Sequence, residues 1–119
     1  MNARQLQELS GEPLFSIGIH TATHPALSCH EKSVQQQEIE SCRSFLKQYK
    51  GFINAAAYPY GKFDDNTLGV MKEAGVDAGF TTQGHPVRSS DSHYTLGRFQ
   101  VLNWDAVEFR ESVQYFQKV

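Results

Sequence analysis

Three short apolar runs, 14–19, 52–57 and 76–82, alternate along this chain with two amphipathic stretches, and that alternation sets what it can become. A run of four to eight apolar residues suits a strand covered on both faces. Strands separated by helices pair in parallel through right-handed crossovers. The first run, Leu14 to Ile19, ends abruptly in His20-Thr21-Ala22-Thr23-His24-Pro25. The second, Phe52 to Ala57, ends in Tyr58-Pro59-Tyr60-Gly61, and the third, Val76 to Thr82, runs into a polar loop. In parallel α/β sheets the carboxyl ends of the strands hold the functional site, because loops there vary while the strands stay fixed.

The helical stretches carry their own punctuation. Asn2 caps a short helix to Ser10 with Leu6 and Leu9 on one face; Gly11 ends it and Pro13 confirms the break. Ser33 to Tyr49 is the clearest helix, with Ser33 and Gln36 as a capping box. Val34, Ile39, Cys42, Phe45, Leu46 and Tyr49 form its apolar stripe. Asp64 or Asp65 caps a third helix through Ala74, buried along Leu68, Met71 and Ala74 and stopped by Gly75. A fourth, short strand is expected at Arg98 to Leu102. Asp105 with Glu108 opens a last helix to about Gln117.

At 119 residues the chain is one domain at most, 1–119, and its 39% apolar content supports a modest core. A net charge of -2 with no Lys/Arg run argues against nucleic acid and anionic membranes as partners. No apolar run reaches the ~18 residues of a membrane span. Met1 to Leu9 lacks the apolar core of a secretion signal, which points to the cytoplasm. Two cysteines, Cys29 and Cys42, with no CxxC spacing read as reduced thiols.

His20 and His24 are the first candidates for chemistry. Imidazole is the commonest biological metal ligand, and a bent loop can aim both rings at one ion. On spacing alone, two surface or hydrogen-bonded histidines fit equally well. No glutamate lies between them to act as a base, and Pro25 disfavours helix at His24. Zinc needs a third protein ligand. His30, His85, His93, Asp64, Asp65 and Asp91 are available, and the spacing selects none of them. Tyr58-Pro59-Tyr60-Gly61 reads either as a strand-ending turn or as a rigid loop whose backbone N–H faces a developing oxyanion. Arg98 reads as a buried ion-pair residue or a functional cation, and Trp104 as a core or groove aromatic.

Taken together these stretches resemble the polysaccharide deacetylase family of carbohydrate esterases, which includes chitin and peptidoglycan deacetylases. His20-Thr21-Ala22-Thr23-His24-Pro25 matches the family's H-[ST]-x-x-H-P motif, and Ala57 to Gly61 matches its A-Y-P-Y-G form. Lys72 to Gly75, Thr81 to Gly84, Arg98 with Val101, Trp104-Asp105 and Glu108-Phe109 follow in the usual downstream order. The resemblance implies a partial, distorted (β/α) barrel of about three or four mostly parallel strands with flanking helices. It implies a divalent metal, zinc in the usual case and cobalt or nickel in others, held by two histidines and an aspartate. His20 and His24 would be metal ligands, and Tyr60 would offer its backbone N–H to the oxyanion. Arg98 would give electrostatic support, while Tyr58, Pro59 and Trp104 would line the substrate site. The substrate would be an acetylated polysaccharide or glycan precursor.

The chain departs from the family in what it lacks. Aspartates of an Asp-Asp-Gly stretch supply the family's general base and third ligand, and no such stretch occurs in residues 1–119. Asp64-Asp65 follows the second matched motif, at a helix start. The arginine common two residues before the motif proline is Ala57 here, and the family's L-x-H stretch is missing. Two readings follow: a C-terminal part of a metal-dependent deacetylase, or a catalytically silent carbohydrate-binding or assembly domain on the same scaffold. Three or four strands cannot close a barrel, so self-association is expected.

Overall fold

The computed structural model describes residues 1–119. Helix α1 (Ala3–Gly11) leads into strand β1 (Ile17–Ile19), helix α2 (Lys32–Leu46), strand β2 (Phe52–Ala57), helix α3 (Asp65–Glu73), strand β3 (Ala78–Phe80) and helix α4 (Ala106–Lys118). The strands form one parallel sheet in the order β1-β2-β3. This is the expected α/β architecture, an open partial barrel. The fourth strand does not form at Arg98 to Leu102. Instead Leu96 makes a single parallel bridge to Phe80. Gly97 lies so close to His85 that a Cβ there would overlap its carbonyl and ring, and beyond this packing the chain leaves β3.

β1 is also shorter than its apolar run. Phe15 N–H bonds Glu12 carbonyl in the turn that ends α1, and the ladder starts only at Ile17, whose N–H reaches Gly51 carbonyl at 2.8 Å. Leu14 is therefore 93% exposed rather than buried. Within β1 the register shifts between Ile17, opposite Phe52, and Ile19, opposite Ala56. Gly18 permits the irregularity, since a Cβ there would stand 2.9 Å from Ala55 carbonyl oxygen. β3 is trimmed at both ends. Val76 closes α3, and Thr81 N–H turns to Leu96 carbonyl.

The helix ends follow the sequence closely except at α2, which starts differently and ends at Leu46 rather than Tyr49. Asn2/Gln5 and Asp105/Glu108 form reciprocal capping boxes, and Asp64 caps α3 through Thr67. Gly75, at φ +68°, ends α3: its N–H bonds Lys72 carbonyl and Val76 N–H bonds Met71 carbonyl, the six-to-one closure that needs a left-handed residue. The box at Ser33 and Gln36 is absent. α2 starts at Lys32 with Glu31 at its cap, and Gln36 donates instead to Glu40 at 3.0 Å.

Ile19, Leu27, Ile39, Ala56, Tyr58, Val70, Met71 and Val76 make the core between sheet and helices. On α2 the inward face is Gln35, Ile39 and Leu46, with Cys42 partly buried, while Val34 and Phe45 face out. On α3 it is Thr67, Val70 and Met71 rather than Leu68. Gln35 is fully buried and serves both helices. Its amide donates to His30 carbonyl, and its oxygen accepts from Thr67 hydroxyl at 2.5 Å. The other sheet face is uncovered: Ile53 is 46% exposed, and a hollow of about 220 Å³ runs between Gly18, Ile53, Ala55, Ala57 and Phe80 to His20.

Tyr58 gives the fold a pH limit. Its ring is fully buried and its hydroxyl donates to Tyr94 carbonyl at 2.7 Å. Burial, helped by the neighbouring Tyr94, pushes its ionisation well above the ordinary tyrosine range. The unfolded chain ionises near pH 10 and the folded chain does not, so stability from the neutral ring holds below pH 10 and falls above it. We expect unfolding free energy to drop by up to about 1.4 kcal/mol per pH unit from this group above pH 10. In Tyr58→Phe that share of the slope disappears, at the cost of the Tyr94 bond. Urea unfolding of both proteins between pH 8 and 11 measures it.

Candidate metal centre

His20 is the first residue past β1, and its Nδ1 meets Ala57 carbonyl oxygen at 2.7 Å. A carbonyl can only accept, so Nδ1 carries a proton, and in the neutral ring the lone pair is then on Nε2. This is the tautomer of a metal-ligating histidine. The following turn brings His24 back, with ring centroids 4.8 Å apart and planes at 69°. Two imidazoles sharing one tetrahedral ion stand at about 5 Å by the ordinary Zn–N lengths. Both rings are exposed. The spacing is one at which both rings could face a single divalent ion.

The turn itself is strained. Thr21 (φ 65°) and His24 (φ 61°) are left-handed without being glycine, and so is Tyr60 (φ 58°) on the facing loop. Such residues cost on the order of 1–3 kcal/mol each and persist only where their surroundings hold them. Thr21 is buried; its hydroxyl donates to His20 carbonyl and accepts from His24 N–H at 3.0 Å. From α2, Glu38 Oε2 accepts Ala22 and Thr23 N–H, both at 2.8 Å, and Oε1 accepts Thr23 hydroxyl at 2.6 Å. Partial burial works to raise the Glu38 carboxyl, but those donors, with His30 nearby, outweigh it and hold the group below its usual range.

The Tyr58-Pro59-Tyr60-Gly61 loop closes over the same edge. Tyr60 sets its ring edge-on to His24 at 4.8 Å and 74°. Gly61 and Lys62 N–H groups close the turn on Tyr58 and Pro59 carbonyls, whereas Tyr60 N–H takes no part in it. Gly61 (φ +65°) packs so tightly on Thr82 that a Cβ would overlap its side chain, which ties this loop to the end of β3. Tyr58 and Pro59 are buried. Their side chains hold the loop from beneath and face no solvent.

Arg98 is exposed and has no carboxylate partner; its Nε donates to Thr81 carbonyl at 2.8 Å. It lines an open pocket of about 530 Å³ with Thr82, Phe99, Gln100 and Val101. Trp104 belongs to an aromatic cluster instead. Its ring lies 6.3 Å from Phe116, on which Phe99 stacks at 3.9 Å. No group of three His, Cys, Asp or Glu side chains converges anywhere in the chain. Among the six third-ligand candidates, Asp64 caps α3, Asp91 accepts Arg88 N–H, and His85 Nδ1 sits against Pro86 carbonyl.

Glu38 is the site residue that sequence reasoning passes over. It lies 14 residues beyond His24 on a helix with many polar side chains, and no local pattern marks it.

These features define a parallel α/β protein whose candidate chemistry is gathered at the carboxyl edge of the sheet. The chain belongs to the polysaccharide deacetylase family, whose sequence pattern matches residues 1–79. It is 32% identical over 117 residues to the poly-beta-1,6-N-acetyl-D-glucosamine N-deacetylase of Staphylococcus epidermidis, covering 91% of this chain and 40% of that protein. The Staphylococcus aureus (strain MRSA252) protein of the same name is 26% identical with the same coverage. The Streptococcus pyogenes deacetylase PplD in complex with acetate superposes with a TM-score of 0.68 at 26% identity, over 77% of this chain and 42% of that one. The chain thus spans about two fifths of the length of these relatives.

Proposed function

We propose that residues 1–119, taken alone, are a catalytically silent carbohydrate-binding or assembly module on the polysaccharide deacetylase scaffold. They correspond to the C-terminal part of such a domain and carry the histidine side of its metal centre. Acetyl hydrolysis requires a carboxylate from outside these residues. One observation carries this reading: His20 and His24 meet at 4.8 Å, yet no third donor joins them. A divalent metal, when bound, polarises an acetamide carbonyl and acidifies water beside it. His20 Nε2 and the His24 ring would hold it. Tyr60 N–H would donate to the oxyanion, and Arg98 would add positive charge. The Arg98 pocket and Trp104 offer sugar rings a polar and an aromatic surface. Tyr58 and Pro59 act by fixing the Tyr60 loop.

The relatives' names suggest β-1,6-linked N-acetylglucosamine oligomers as the test glycan. Acetate release from these and from chitooligosaccharides, with zinc or cobalt added, is expected at the level of the protein-free control. Absence of a general base alone costs ~100-fold to 10,000-fold. Oligomer binding should still register by calorimetry. Acetate release at an ordinary enzymatic rate by this chain would overturn the reading.

The uncovered sheet face, with Ile53 46% exposed, supports self-association as well. Sedimentation is expected to show a species heavier than the monomer at micromolar concentration, and a clean monomer counts against it.

A further inference from the structure

We infer that Glu38 is the positioning residue of the histidine pair: from α2 it clamps the Ala22-Thr23 peptide and so sets the angle between His20 and His24. This rests on the reading of the two histidines as metal donors. The clamp has three arms, Ala22 and Thr23 N–H on one carboxylate oxygen and Thr23 hydroxyl on the other. The clamped peptide sits between the two left-handed residues of the loop, Thr21 and His24. Neither is glycine, so each would relax to the ordinary right-handed side if the peptide between them were released. Thr21 hydroxyl braces the loop only against itself.

Glu38 has no competing task. It makes no ion pair; those in the chain are Arg4–Glu8 and Lys32–Glu73. Of its own helix it precedes the buried Ile39, so its Cα is fixed by the core while its carboxylate reaches the loop. A carboxylate bound only by a loop's amides and hydroxyl holds that loop's shape. The histidines gain a rigid support on each side: His20 from Ala57 at the end of β2, and the segment between the rings from Glu38 on α2. Second-layer contacts of this kind typically change metal affinity ~10-fold to 100-fold.

The test uses ¹⁵N-labelled 1–119 chain titrated with Co²⁺, with Glu38→Ala, Glu38→Gln and Thr23→Ala beside the wild type. In the wild type, Co²⁺ should broaden the His20 and His24 ring signals together, and ring-to-ring NOEs should link His20, His24 and Tyr60. Glu38→Ala should lose those NOEs and weaken Co²⁺ binding ~10-fold to 100-fold, with core signals around Ile39 unchanged. Glu38→Gln keeps one carbonyl acceptor for the two N–H groups and should recover most of the affinity. Thr23→Ala, which removes one arm, should fall between. Ring NOEs and affinity within twofold of wild type in Glu38→Ala overturn the inference. If Co²⁺ broadens neither wild-type histidine, the metal reading fails; the ring NOEs, measured without metal, then decide the clamp by themselves.

Discussion

Replacing His20 and His24 together by alanine should reduce divalent-metal binding to the level of an unrelated protein, a loss on the order of 100-fold or more. Removing a ligand must exceed the ~10-fold to 100-fold that removing its support costs. Either single replacement should come close, because the chain offers no third donor to hold an ion with one imidazole. His20→Ala acts through Nε2, the nitrogen left unprotonated by the Ala57 carbonyl. His24→Ala also strips Tyr60 of its edge-on partner. Both rings are exposed, so the melting temperature should barely move. Calorimetric titration with Zn²⁺ or Co²⁺, read beside thermal melts, separates lost binding from lost fold. Unchanged binding in the double variant would show that the metal sits elsewhere.

Ile19→Ala should have the largest effect on stability, about 2–5 kcal/mol, the range for emptying a buried aliphatic site. Ile19 is 1% exposed and packs in the core cluster with Leu27, Ile39 and Ala56. Such a loss is a large share of the roughly 5–15 kcal/mol that holds a domain folded. The site cannot collapse cheaply, because β1 has only three residues and a register shift already bends it. The damage also reaches His20, the next residue, whose bond to Ala57 needs β1 docked on β2. Leu14→Ala, in the same apolar run but 93% exposed, should change stability by less than about 0.5 kcal/mol. Urea unfolding of the two variants gives the contrast, and equal losses would mean that β1 extends further than Ile17–Ile19.

The uneven reading of β1 shows where the sequence informs and where it misleads. Phe52–Ala57 is read to the residue because nothing local competes with its ladder. Leu14 and Phe15 carry the same apolar signal, but the turn after α1 claims the Phe15 N–H first. Caps at Asn2, Asp64 and Asp105 are legible because their bonds are local in sequence. Gln35 is not, because its partners at His30, Asp64 and Thr67 converge only in three dimensions. The same holds within the site. The histidines and the Tyr58-to-Gly61 loop are sequence motifs, while Glu38 and the Ala57 carbonyl are supplied by other elements. Arg98 illustrates the remainder: its residue type allows an ion pair or a functional cation, and only the structure shows that its Nε donates to a backbone carbonyl.

The bond between His20 and Ala57 spans 37 residues of chain, and this fixes an order of events during synthesis. When His20 leaves the ribosome, neither β2 nor α2 yet exists, and both ring nitrogens are open to solvent and to any passing ion. Only after Ala57 has emerged and β2 has paired with β1 does one nitrogen become committed as the donor. Pairing strands across such a separation is slow compared with local helix formation. A nascent chain that captures metal early can do so through either nitrogen, whereas the folded chain offers one. If the pair holds a metal, as proposed above, an ion arriving after β2 has docked meets only Nε2 of His20, because Nδ1 is already committed to Ala57.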